Sequence, residues 1–327
     1  MKKLLFISIA LLLITTVFLV SCKESATTSE ETTDFTVVMN MNTDYPLPDS
    51  PKDGKGSPAK VIVLLGQSNA TGCSIVKYLK DNIAAEKFAE YENGYPSVLI
   101  NYCLDDHNAT SNGAFVKVDL TCGAADGFFG PEVGIAEVLS EAYPDETIFI
   151  LKYTMSGYSL HHNWLRAGDR GSIYDAAMAF ITRYMTYLAD KNYQAKIGAI
   201  LWMQGESDTT DFKASHYYNN QSAFVSYLRE DLAPYAEDGG IAFIDAGISN
   251  SPYCEPAYPA INEAKRRFAS DSPLNYYFPT IENGLTVHLE PPGDPDWGHY
   301  DSLSGIALGK LFGNAVVESY RDREKTQ

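Results

Sequence analysis

The stretch that most constrains the fold is Val61-Ile62-Val63-Leu64-Leu65-Gly66-Gln67-Ser68-Asn69-Ala70-Thr71-Gly72. An unbroken aliphatic run with no polar alternation predicts a strand buried on both faces, as in parallel sheets covered by helices. Gly66 and Gly72 bracket a polar turn at its carboxyl end, where open α/β sheets place their ligands. Ser68 therefore stands where a nucleophile would stand. The turn has no GxGxxG, no Gly-Lys-Ser/Thr and no GxSxG, so it carries none of the dinucleotide, P-loop or α/β-hydrolase signatures. Taken alone, it also reads as a strand-to-helix loop with a capping serine.

The rest of the chain repeats the same alternation. Val61–Leu65, Val98–Leu104, Thr147–Tyr153, Ile197–Met203 and Ile241–Ala246 read as five strands. Helices are expected at 75–90, 133–142, 174–190, 217–232, 259–269 and from 302 to about 320, with extended segments at 115–120 and 283–289. Strands alternating with helices imply a parallel sheet covered on both faces. The length of 327 residues and 45% hydrophobic content are ample for one such domain.

The amino terminus predicts export. Met1-Lys2-Lys3 is basic, Leu4 to Val20 is apolar, and Leu19-Val20-Ser21-Cys22 matches a bacterial lipobox. Residues 1–21 are then a lipoprotein signal peptide, and Cys22 is the lipidated residue. Residues 22–57, rich in Ser, Thr, Glu, Asp, Pro and Gly, read as a flexible tether, leaving 58–327 as the folded domain. The expected location is the bacterial cell envelope, with the protein held to a membrane by lipid. A formal net charge of −17 disfavours nucleic acid as a partner and favours neutral substrates. Cys73, Cys103, Cys122 and Cys254 permit disulfides in an exported protein, with Cys103–Cys122 the favoured pair.

Chemistry can be assembled from turns expected at one end of the sheet. Ser68 needs a base, and His299 is the natural candidate. Asp296, three residues earlier, can orient it, with Asp294 and Asp301 as competitors. Donors for an oxyanion are available from the Ser68 and Gly130 N–H groups and the Gln204 side chain. Trp164 and Arg166, in the loop after the third strand, read as substrate contacts. The pair His161-His162 lacks a third ligand at suitable spacing, so no metal and no other cofactor is expected.

The blocks Gly66-Gln67-Ser68-Asn69, Phe129-Gly130-Pro131-Glu132, Trp202-Met203-Gln204-Gly205-Glu206-Ser207-Asp208 and Asp296-Trp297-Gly298-His299-Tyr300 together resemble the SGNH hydrolase superfamily. Within it, the chain is similar to the sialate O-acetylesterase-like esterases grouped with carbohydrate esterase family six. The resemblance spans about residues 60–317. It implies a three-layer α/β/α sandwich around a parallel five-stranded sheet. It also implies a Ser68 nucleophile, a His299 base, an Asp296 orienter and oxyanion donors at Ser68, Gly130 and Gln204. Gln67, Asn69, Glu206 and Asp208 fall in the same blocks as supporting groups. The implied activity is a serine esterase that deacetylates a carbohydrate such as acetylated xylan. The alternatives are another SGNH ester or thioester hydrolase, or a glycan-binding lipoprotein without catalysis. The step Ser156-Gly157-Tyr158-Ser159, where the family often has Gly-Gly-Thr/Ser, and Ala70, in place of the usual Met, depart from the pattern.

Overall fold

The computed structural model describes residues 50–105, 108–166 and 172–326. The expected signal peptide, Cys22 and the tether up to residue 49 lie outside the described residues. Residues just ahead of the first strand are bonded to the domain: Ser50 Oγ donates to Phe115 O, and Gly54 N–H donates to Lys191 O.

Six parallel strands form the sheet: β1 Pro58–Gly66, β2 Tyr95–Leu104, β3 Ile148–Thr154, β4 Gln194–Met203, β5 Ala242–Ala246 and β6 Asn275–Phe278, in the spatial order 2-3-1-4-5-6. The five expected strands are all present. The sixth, Asn-Tyr-Tyr-Phe, is four residues long and has no aliphatic run to announce it. Two short segments, Ala109–Thr110 and Val116–Val118, pair antiparallel with β2 and cover that edge. Residues 283–289, expected to be extended, form turns instead.

Val61 to Leu65 are each fully buried. Successive strand residues point to opposite faces, so β1 is covered on both. The covering helices are α1 Ser68–Thr71, α2 Val76–Asn82, α3 Ala85–Asn93, α4 Glu132–Ala142, α5 Ser172–Asp190, α6 Asp211–Asp231, α7 Tyr258–Ala269 and α8 Ser302–Thr326. The single helix expected over 75–90 is broken at Ile83 and Ala84, where the backbone turns extended.

Register brings the functional turns together. Gly66 at the end of β1 stands level with Thr154 of β3 and Met203 of β4. The turns after these three strands therefore leave the sheet side by side. Gly66 is required here: its φ is +146°, and a Cβ would sit 2.0 Å from Met203 O.

One buried ion pair braces this end. Lys152 on β3 and Glu132 at the start of α4 are both fully buried, 2.7 Å apart. Lys152 Nζ also donates to Thr71 O (2.8 Å) and Cys122 O (3.0 Å). No disulfide joins the four cysteines of the described domain, which corrects the expected Cys103–Cys122 pair. Cys103 is fixed in the β2 ladder opposite Tyr153, while Cys122 lies beside the Lys152–Glu132 pair.

Lys152→Met leaves Glu132 buried without its cation. We expect a loss of about 3–5 kcal/mol of stability in a urea unfolding curve. Lys152→Met with Glu132→Gln recovers part of it, and equal curves for wild type and single variant would show that the pair bears no load.

Candidate active site

Ser68 opens α1, a helix of four residues immediately after the β1 turn. Its side chain is half-buried, whereas Gln67 and Asn69 on either side are buried. Gly72 ends α1 at a φ of +99°, and a Cβ there would lie 2.5 Å from the Cα of Gly130. The Ser68 turn and the Gly130 segment are thus pressed together although about sixty residues separate them.

His299 comes from the other end of the chain. Its Nδ1 lies 2.6 Å from Asp296 Oδ2. A second Asp296 oxygen accepts Gly298 N–H at 3.0 Å, so the carboxylate is held by the loop it orients. The competing acids are placed differently. Asp301 accepts the N–H groups of His288, Leu289 and Glu290 and anchors the loop, and Asp294 is exposed. Burial works against a charged imidazole, but hydrogen bonds to Asp296 and to the Cys73 thiol outweigh it and lift His299 to about 10. The same hydrogen bond with His299 holds Asp296 below the usual carboxylate range.

Asn69 joins the two ends. Its Nδ2 donates to Glu206 Oε1 (2.8 Å) and Gly298 O (3.3 Å), and its Oδ1 accepts Tyr300 N–H (3.1 Å). The residue after Ser68 therefore grips the residues on both sides of His299. Glu206 is raised by burial, an effect that the Asn69 bond opposes. Gln67 turns inward, its Oε1 accepting Ser207 N–H at 3.2 Å, which ties the β1 turn to the β4 turn.

Two expected oxyanion donors are already committed. The Gly130 N–H donates to Glu132 Oε1 at 2.9 Å. Gln204 is fully buried, and its Nε2 donates to Asp208 Oδ2 (2.6 Å) and Tyr158 O (3.2 Å). An amide nitrogen has two hydrogens, and both are used. Gln204 and Gly130 therefore frame the site rather than offer donors to it. Ser68 N–H, in the first turn of α1, has no intrahelical acceptor and remains the candidate donor. Asp208, also fully buried and raised by burial, accepts the N–H groups of Leu160 and His161 and so shapes the loop after β3.

Two expected substrate contacts are structural. Trp164 is fully buried and packs edge-on against Trp202, with ring centroids 5.0 Å apart. Arg166 is paired with Asp231 and Glu230 and lies over the Tyr227 ring. Its charge is spent on α6. Arg170, the other basic residue of the loop after the third strand, lies outside the described residues. Sequence reasoning missed Cys73 beside His299. A lone cysteine immediately after a turn carries no signal of its partner, which arrives from 226 positions away.

Residues 58–318 match the family described as carbohydrate esterase, sialic acid-specific acetylesterase. A solved protein from Arabidopsis thaliana superposes with a TM-score of 0.59 at 18% identity, over 80% of this chain and 98% of that one. NanS superposes with a TM-score of 0.57 at 14% identity, over 82% and 99%. A carbohydrate acetylesterase from Xanthomonas citri does so with a TM-score of 0.53 at 13% identity, over 82% of this chain and 56% of that one. At such identities the likeness is one of fold. No curated protein sequence matches the chain.

The geometry sets a pH dependence. A base must be neutral to accept a proton, so a raised His299 shifts reactivity to alkaline pH. Labelling of Ser68 by a fluorophosphonate should rise with pH towards about 10 in wild type. In Asp296→Asn the midpoint should fall towards the ordinary imidazole value of about 6.5, with a slower limiting rate. An unmoved midpoint would remove Asp296 from that role. Asn69→Ala should slow labelling about 10-fold or more by loosening the His299 loop, with little change in the midpoint.

Proposed function

This chain belongs to the carbohydrate esterases described as sialic acid-specific acetylesterases, and on that footing we propose that it deacetylates a glycan such as acetylated xylan through an acyl-enzyme on Ser68. The observation that carries the reading is the His299–Asp296 pair, whose loop is tethered by Asn69, the residue next to Ser68.

The steps follow from that arrangement. With Nδ1–H donated to Asp296, Nε2 is the nitrogen left for both Cys73 and Ser68, and neutral His299 accepts the Ser68 proton there once Nε2 exchanges Cys73 for Ser68. Ser68 Oγ attacks the acetyl carbonyl carbon as His299 takes its proton. The carbonyl π-electrons move onto oxygen, and the resulting oxyanion meets the Ser68 N–H. The intermediate collapses, the bond to the sugar oxygen breaks, and His299 returns the proton to that oxygen. The acetyl group is left on Ser68. Water, deprotonated by the same His299, attacks the acyl carbon, and acetate leaves as Ser68 regains its proton. Asp296 stays ionised throughout and stabilises the imidazolium.

The amino-terminal pattern supports a lipid tether at Cys22, which would hold the enzyme in the cell envelope near polymeric substrate. Radiolabelled palmitate should enter the wild-type chain expressed in a bacterium and not Cys22→Ser.

Acetate release from acetylated xylan is the direct test. Ser68→Ala should lower the rate by about 10⁴-fold or more. Release that survives the substitution would refute the acyl-enzyme. Cleavage of p-nitrophenyl acetate without release from xylan would keep the chemistry and remove the proposed substrate.

A further inference from the structure

The loop that carries His299 also carries one of the few large apolar side chains left in water. Trp297, between Asp296 and Gly298, is 40% exposed. Tyr253, after β5, is 70% exposed. Tyr253 approaches the backbone of the residue that follows Trp297. A Cβ built on Gly298 would touch the Tyr253 ring at 3.9 Å, and Gly298 O is the acceptor of Asn69. The indole is held from behind: the ring of His288 is stacked on it, with centroids 6.2 Å apart and planes inclined by 20°. Leu289, next to His288, is 56% exposed and extends the patch.

Exposed aromatic side chains grouped beside one loop are the kind of apolar surface that binding sites use. Their position beside the catalytic base selects the partner. What must reach His299 is an acetylated sugar. The C–H face of a pyranose is apolar and weakly positive, so it fits the negative face of an aromatic ring. The charge around the patch narrows the sugar. Segments 249–258 and 286–303 contain no Lys or Arg, whereas Glu255, Asp294 and Asp296 are exposed there. That surface repels a sugar carboxylate and accepts neutral rings.

We propose that Trp297 and Tyr253 form a stacking platform for neutral pyranose units of the acetylated glycan, placing the chain against the Ser68–His299 site and disfavouring sialic acid. The assignment rests on the esterase reading above. It goes beyond that reading by fixing which residues set the substrate class. The platform is also coupled to the chemistry through Gly298, because a sugar settled on Trp297 and Tyr253 presses on the loop that Asn69 secures.

The test separates the platform from the reaction. Melting temperatures first establish that Trp297→Ala, Trp297→Phe and Tyr253→Ala are folded. Each alanine variant should raise KM for acetylated xylan about 10-fold, and clearly more than it raises KM for p-nitrophenyl acetate, while Trp297→Phe retains most of the affinity. Binding of acetylated xylan to the Ser68→Ala protein, measured by affinity electrophoresis, should weaken equally when Trp297→Ala is added. That binding comparison holds even if no turnover is found, so failure of the esterase reading remains distinct from failure of the platform. Equal xylan affinity with and without Trp297 and Tyr253 overturns the proposal. So does a lower KM for 9-O-acetylated sialic acid than for xylan acetate.

Discussion

A buried ammonium organises the catalytic end of this sheet. Lys152 reaches out of β3 to the carbonyl that ends α1, to the carbonyl of Cys122 and to the carboxylate of Glu132, which in turn holds the Gly130 N–H. Four segments distant in sequence are thereby fixed around one charge. Removing such a charge from water is costly, and it is compensated only when the geometry fills every donor. The three protons of Lys152 have three acceptors. This economy explains why the turn bearing Ser68 and the turn bearing Gly130 can lie in backbone contact, with glycine at both positions.

The same economy governs the other side of the site. Asp208 draws in Gln204 and two backbone N–H groups, and Gln67 accepts from the β4 turn. The polar residues that cluster in the sequence blocks serve mostly to hold turns together. Ser68 and His299 stay half-buried among them, with His299 held by Asp296 and Cys73. Commitment of Gly130 and Gln204 to carboxylates shows how the residue types of an oxyanion hole can be spent on architecture.

The parallel sheet was legible in the sequence because aliphatic runs such as Val61–Leu65 have few other ways to be buried. The contact of His299 with Asp296 was legible because a base and a carboxylate three residues apart fit one turn. Trp164 was not. An indole in a polar loop looks the same whether it inserts into the core or faces solvent, and only the packing against Trp202 distinguishes them. Arg166 failed for a related reason: its partners, Glu230 and Asp231, lie at the end of α6, a full helix away in sequence. The β6 strand was hidden because four residues of Asn, Tyr and Phe carry no period. Tyr253 was invisible as a neighbour of Gly298, since that contact exists only once β5 and the last loop are in place.

The bond from Tyr300 N–H to Asn69 Oδ1 spans 231 positions. Closing a loop of that length costs chain entropy before the contact returns any stabilisation. Until it closes, nothing holds the β1 turn that bears Ser68 to the loop that bears His299. The proposed site is therefore a property of the closed chain and of neither end alone: its two halves meet only where the far end folds back onto the beginning.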